Sequence, residues 1–255
     1  MAASASRQAT VEHFHLQFCR LFMSGPDRTT FAIKGGCNLR FFFESIRYSE
    51  DIDIDVVGHI ADHVLRDRVT KTLRSQPLAS VLQSRGIRIE RVTAPKQTET
   101  TQRWKVELAV QGHAFPLHTK IEFSRRPQRD AAVVERISLG LARMQGVVPF
   151  VAAHYPVPAA VRQKVRALVG RAATQTRDVF DLATLFARPG GDATTLPPVK
   201  DMLPAAIDLV ASLTYAQYKS QVVGYLVPDQ ASAYSTPEAW ETIQLDVITV
   251  LEGGL

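Results

Sequence analysis

With 255 residues, 45% of them hydrophobic, the chain is long enough for one domain or two and for a sizeable core. Its formal charge of +5 and pI of about 9.4 are compatible with a polyanionic partner without demanding one. The 2 cysteines exclude a disulfide framework, no apolar stretch reaches bilayer length, and residues 1–10 lack the apolar centre of a signal peptide, so the expectation is a cytoplasmic protein with no membrane partner.

In chain order, residues 10–23 place Val11, Phe14, Phe18, Leu21 and Phe22 at roughly helical spacing, and Ser24-Gly25-Pro26-Asp27 reads as a turn. Residues 29–33 predict a short buried strand, broken by Gly35-Gly36, and 38–45 a helix with a bulky apolar face. An acidic strand follows over 51–57, then a helix over 59–85 interrupted at Pro77. Strands are predicted over 87–92, 103–110 and 117–123. From Val157 the character changes, and helices are predicted over 159–172, 178–186, 199–212, 215–227 and 237–251. The fold class expected is α/β (α+β): a mixed β-sheet with flanking helices over 1–156, then a helical region over 157–255, joined near Pro156 and Pro158.

The run Asp51-Ile52-Asp53-Ile54-Asp55 carries the chemistry. Period-two alternation puts the three carboxylates on one face of a strand, where like charges repel unless something positive lies among them. A hard divalent cation such as Mg²⁺ or Mn²⁺ takes oxygen ligands, and binds through one or two carboxylates plus substrate phosphates. Asp51 and Asp53 are the expected ligands, with Asp55 a solvated acid at the strand end. Gly35 and Gly36 have no side chain to block a phosphate from their backbone N–H groups, and the helix after them points its positive end there. Ser49 adds a hydroxyl for a phosphate or a metal-bound water.

Lys34-Gly35-Gly36-Cys37-Asn38-Leu39-Arg40, followed by Arg47-Tyr48-Ser49-Glu50-Asp51-Ile52-Asp53, closely resembles the AbiEii toxin family of nucleotidyltransferases, in the DNA polymerase β-like superfamily. Cys37 stands where that family usually has threonine. The resemblance extends to Lys164-Val165-Arg166-Ala167-Leu168, Arg171 and Arg177-Asp178-Val179-Phe180-Asp181-Leu182, and more weakly to Lys120-Ile121-Glu122-Phe123-Ser124. It implies that an NTP is the substrate, that Lys164 contacts its phosphates, and that Asp178 is a necessary acid of the site, with Asp181 the competing choice. Glu122 is either a third carboxylate of the site or a surface ion-pair acid, and Glu107 competes with it.

The resemblance also implies the toxin of a type IV toxin–antitoxin or abortive-infection pair, with tRNA or another RNA as acceptor. A cognate antitoxin would be encoded nearby and need not bind the toxin. Two other readings stay open at this point: an antibiotic-type nucleotidyltransferase acting on small molecules, and a non-catalytic nucleotide-binding protein with the same fold. Of the remaining features, His13 and His15 point apart on a helix, Trp104 and Trp240 suit a core, and Tyr215, Tyr218 and Tyr225 read as packing residues. Arg125, Arg126 and Arg129 read as a solvated basic loop.

Overall fold

The computed structural model describes residues 6–25, 28–125, 127 and 130–255, so Pro26 and Asp27 of the expected turn, and Arg126 and Arg129 of the basic cluster, lie outside the described residues. The chain divides into two compact units, residues 1–44 with 48–155, and residues 45–47 with 156–255.

The first unit is built on a seven-stranded mixed sheet. Its strands are β1 (Phe31–Lys34), β2 (Ile52–Val56), β3 (Ile87–Gln97), β4 (Thr101–Val110), β5 (Leu117–Ser124), β6 (Val133–Arg136) and β7 (Val151–His154). They lie in the order β3-β4-β5-β2-β1-β7-β6. The acidic strand β2 is central, antiparallel to β1 and parallel to β5. The helices of this unit are α1 (Arg7–Phe22), α2 (Gly35–Phe42), α3 (Asp62–Leu73), α4 (Gln76–Gln83) and α5 (Leu139–Gln145). Ser6 caps α1 by accepting from the Ala9 N–H at 3.1 Å, and Ser75 caps α4 just before Pro77, which sits in the first turn where its missing N–H costs nothing.

Alternation decides which way the sheet faces. Ile52, Ile54, Ile121, Phe123 and Trp104 point to one side and are buried with Phe14, Phe18 and Phe22 of α1 and with Leu65, Leu78 and Leu82 of α3 and α4. Phe22, Phe31, Phe123 and Trp104 meet in tilted and edge-on contacts with ring centroids 4.9–5.9 Å apart. Each such ring contributes roughly 1.5–3 kcal/mol through burial. The other side of β2 and β5 carries Asp53, Asp55, Lys120 and Glu122. That division puts the charged residues where they can act and the apolar ones where they hold the sheet together.

The second unit contains α6 (Val157–Gly170), α7 (Thr176–Phe186), α8 (Leu203–Ser212), α9 (Tyr215–Gln221), α10 (Pro228–Ala231) and α11 (Pro237–Glu252). Trp240 stacks on Tyr218 with centroids 4.6 Å apart, and both are buried, as is Trp104 in the first unit, so both tryptophans are core residues. No helix among the described residues is long and apolar enough to cross a membrane.

Several elements depart from the pattern reading. β6, α5 and β7 are not predicted by the pattern: the two strands are four residues long and take their place in the sheet from pairing with their neighbours, and α5 is only seven residues long. Helix α2 begins at Gly35, not at Asn38, so the glycines form its first turn. The long helix expected over 59–85 is two helices, broken at Arg74-Ser75 rather than at Pro77. Arg125 is not solvated: it reaches Gln102 Oε1 at 2.6 Å and Asp62 at 3.2 Å.

Candidate active site

The first unit gathers Gly35, Gly36, Ser49, Asp51, Asp53 and Glu122 on and around the polar side of β2. Asp53 is in register with Lys34 of β1 on one side and with Glu122 of β5 on the other. Asp51 immediately precedes the strand. Its main-chain oxygen accepts from Ser49 Oγ at 2.9 Å and from Cys37 Sγ at 3.3 Å. Its carboxylate is held twice by one residue: Oδ1 accepts the Lys120 backbone N–H at 3.1 Å, and Oδ2 lies 2.7 Å from Lys120 Nζ. Lys120 and Glu122 alternate with Ile121 and so share a face, which places Asp51, Asp53 and Glu122 on the same side of the sheet.

Gly35 is fixed by geometry. Its φ is +64°, and a Cβ there would come within 3.0 Å of Asp53 Oδ2. A side chain would both strain the backbone and fill the space beside that carboxylate. No side chain caps α2, so the first N–H groups of this helix are not satisfied by a capping oxygen. Gly35→Ala is therefore expected to lower stability by roughly 1–2 kcal/mol. Urea unfolding checks this, and a variant as stable as its parent would contradict it.

One acid departs from its expected role, and a second takes up one of the two expected for it. Asp55 is not solvated: it is 2% exposed, lies 2.5 Å from Lys34 Nζ, and accepts from the Tyr155 hydroxyl at 2.8 Å. It is a buried structural acid tying the ends of β1 and β7 to β2. Glu122 is half-buried and paired with Arg103, Nε at 2.7 Å and Nη2 at 2.5 Å. Cys37 is buried, which pushes its thiol well above the usual range, away from the thiolate that a nucleophile requires. His15 is buried and held down to about 3, so it is neutral, and it meets Thr119 Oγ1 at 2.7 Å.

Among the described residues, no group of three or more His, Cys, Asp or Glu side chains is arranged to hold a metal ion by itself. The carboxylates that could serve an ion here are those of Asp51 and Asp53. Two hard carboxylates beside a side-chain-free position suit an ion that keeps waters and shares its coordination with a substrate phosphate.

The second unit holds the other motif as a buried charge network. Lys164 Nζ lies 2.9 Å from Asp178 Oδ1 and 2.5 Å from Asp181 Oδ2. Arg47 clasps Asp181 with Nε at 2.9 Å and Nη2 at 2.8 Å. Arg171, just past the end of α6, brings its Nε to 2.8 Å from Asp178 Oδ2. Burial disfavours the Lys164 ammonium, yet Asp181 and Asp178 outweigh it and raise its pKa. Burial likewise opposes the Asp181 carboxylate, but Arg47 and Lys164 override it and hold Asp181 down to about 2.

The profile of the nucleotidyl transferase AbiEii toxin family, of type IV toxin–antitoxin systems, matches residues 19–215. The chain belongs to that family. In fold it is similar to JHP933 from Helicobacter pylori, at 19% identity and a TM-score of 0.63 over 98% of this chain and 92% of that one. It is also similar to a proposed nucleotidyltransferase from H. pylori, at 17% identity and a TM-score of 0.60 over 99% and 94%. None of the curated proteins matches the chain. The AbiEii match takes in all three sequence motifs, from Lys34 to Leu182.

Two contacts had no counterpart in the sequence reading. The sequence pattern places Lys120 only as the neighbour of Glu122, and Arg47 only as part of a motif. The available signal for Lys120 was its position two residues before Glu122, on the same strand face. For Arg47 there was none, since Asp181 lies 134 residues away.

Proposed function

We propose that this AbiEii-family chain transfers a nucleoside monophosphate from an NTP to an acceptor hydroxyl, the 3′ end of a tRNA being the acceptor that fits the toxin reading. The observation that carries the proposal is the bend at Gly35, where the start of α2 and the carboxylate of Asp53 meet across a gap that only glycine leaves open.

Asp51 and Asp53 would hold a divalent cation, Mg²⁺ or Mn²⁺. Bound there, it would supply charge to polarise the phosphoryl oxygens. The N–H groups of Gly35 and Gly36 would receive phosphate oxygens at the positive end of α2. Ser49 and Cys37 brace the Asp51 backbone, so a hydroxyl at position 37 is not needed for that contact. Glu122, beside Asp53, is the candidate third acid once released from Arg103. By the family resemblance Lys164 would contact a nucleotide phosphate and Asp178 would be a necessary acid of the site, either fixing Lys164, which it meets at 2.9 Å, or taking the acceptor proton. The acceptor hydroxyl would pass its proton to a carboxylate of the site or to water, its oxygen would attack the α-phosphorus, the bond from that phosphorus to the bridging oxygen would break, and pyrophosphate would leave with the displaced electron pair. NTP and RNA both place the work in the cytoplasm. A cognate antitoxin encoded alongside completes the system without having to bind this chain.

The test is incubation of the purified protein with each labelled triphosphate, Mg²⁺ or Mn²⁺, and total RNA. A labelled band of tRNA size is expected with one or a few of the four triphosphates. Label confined to added small molecules would identify the antibiotic-type activity, and no incorporation by folded protein would remove the enzymatic reading.

A further inference from the structure

We propose that Lys120 is a resident counter-ion of the metal site, one that gives up Asp51 when a cation binds and then serves the triphosphate. The inference rests on the metal reading above. Both oxygens of Asp51 are engaged by this single residue, one by its backbone N–H and the other by its ammonium 2.7 Å away. The backbone contact is fixed by strand β5. The ammonium contact is not: the Lys120 side chain is 45% exposed, on a flexible stem with room to swing.

The surrounding charges make the arrangement specific. Asp55 is neutralised by Lys34, and Glu122 by Arg103. Lys120 does the same for Asp51, one of the two expected ligands. A lysine ammonium is a compact point charge, suited to stand where a cation would otherwise neutralise the acid and suited equally to a phosphate oxygen. An exposed pair of this kind is worth a factor of up to about five in an equilibrium constant. It keeps the apo site together, yet is weak enough for a divalent ion to displace. Repulsion between the ammonium and an ion on Asp51 then drives the side chain outward, toward the negative charge of the bound triphosphate. Metal and nucleotide binding are thereby coupled through one side chain, and by linkage the coupling is reciprocal.

The experiment measures Mn²⁺ binding to the whole chain by electron paramagnetic resonance, with and without a non-hydrolysable triphosphate, for the parent, Lys120→Met, Lys120→Arg and Lys105→Met. Lys105 is the exposed cross-strand neighbour of Lys120 and controls for general charge. Without nucleotide, Lys120→Met is expected to bind Mn²⁺ about three- to fivefold more tightly than the parent. With nucleotide, that advantage shrinks, and the triphosphate itself binds more weakly to the variant. Lys120→Arg keeps the parental pattern, and Lys105→Met changes Mn²⁺ affinity by less than about twofold at moderate salt. A residue that only shaped the site would lose metal affinity when replaced, so equal or weaker Mn²⁺ binding by a folded Lys120→Met overturns the proposal while the metal reading stands. If no protein binds Mn²⁺, even with the triphosphate, the metal reading itself fails and the role of Lys120 falls with it.

Discussion

Replacing Asp51 with alanine is expected to lower nucleotidyl transfer by at least about a thousandfold, the upper range for removing one preorganised electrostatic group from a site, and to abolish growth arrest when the protein is expressed. The same change should move the melting temperature little. Asp51 is half-buried, and its ion pair is with a lysine that is itself 45% exposed. Such a pair contributes about 0–1 kcal/mol and the Lys120 N–H contact to Oδ1 about 1 kcal/mol more, together a shift of a few degrees for a chain of this size. The main-chain contacts from Ser49 and Cys37 to Asp51 do not involve its side chain and survive the substitution. Loss of chemistry without loss of fold is the signature that separates a ligand from a structural acid. If Asp51→Ala still transfers nucleotide within tenfold of the parent, or still poisons cells, the metal mechanism is wrong.

That separation was only partly legible in the sequence. Period-two alternation in the run from Asp51 to Asp55 gave the strand, which starts at Ile52 just after Asp51, while the glycine pair pointed to a helix beginning after it, where the glycines themselves form the first turn. The pattern treats Asp51, Asp53 and Asp55 alike, however, and their environments are unlike. What buries Asp55 is Tyr155, 100 residues away in sequence, together with Lys34. Pairing partners at such separations are set by sheet order, which local periodicity does not encode. The same limit hid β6 and β7, four-residue strands whose composition is ordinary and whose place in the sheet comes from neighbours. The third motif was legible as residue types at a spacing. Its physical character, a set of buried charges rather than a solvated helix face, depended on Arg47 arriving from outside the motif.

Asp181→Ala carries the largest expected cost in stability, about 3–5 kcal/mol, because it removes one partner from a buried ion network and leaves the opposite charges in place. Asp181 is fully buried, and Arg47 and Lys164 beside it are only 5% and 10% exposed in their side chains. The pH dependence gives an independent check. The folded pKa of Asp181, about 2, lies below the ordinary value of 3.8, so its contribution is present above about pH 4 and is lost as pH falls toward 2. Lys164 is raised above 10.5, so its contribution is present below that value and is lost as pH rises past it. Urea unfolding of the parent should therefore weaken between pH 4 and 2 by more than that of Asp181→Ala, and a parallel decline in both would contradict the network. Since Asp178 and Asp181 each hold Lys164, a fall in transfer by Asp181→Ala would report first on where that ammonium sits. Activity lost through instability is expected to return in part at lower temperature or with a stabilising osmolyte, whereas activity lost with Asp51 is not.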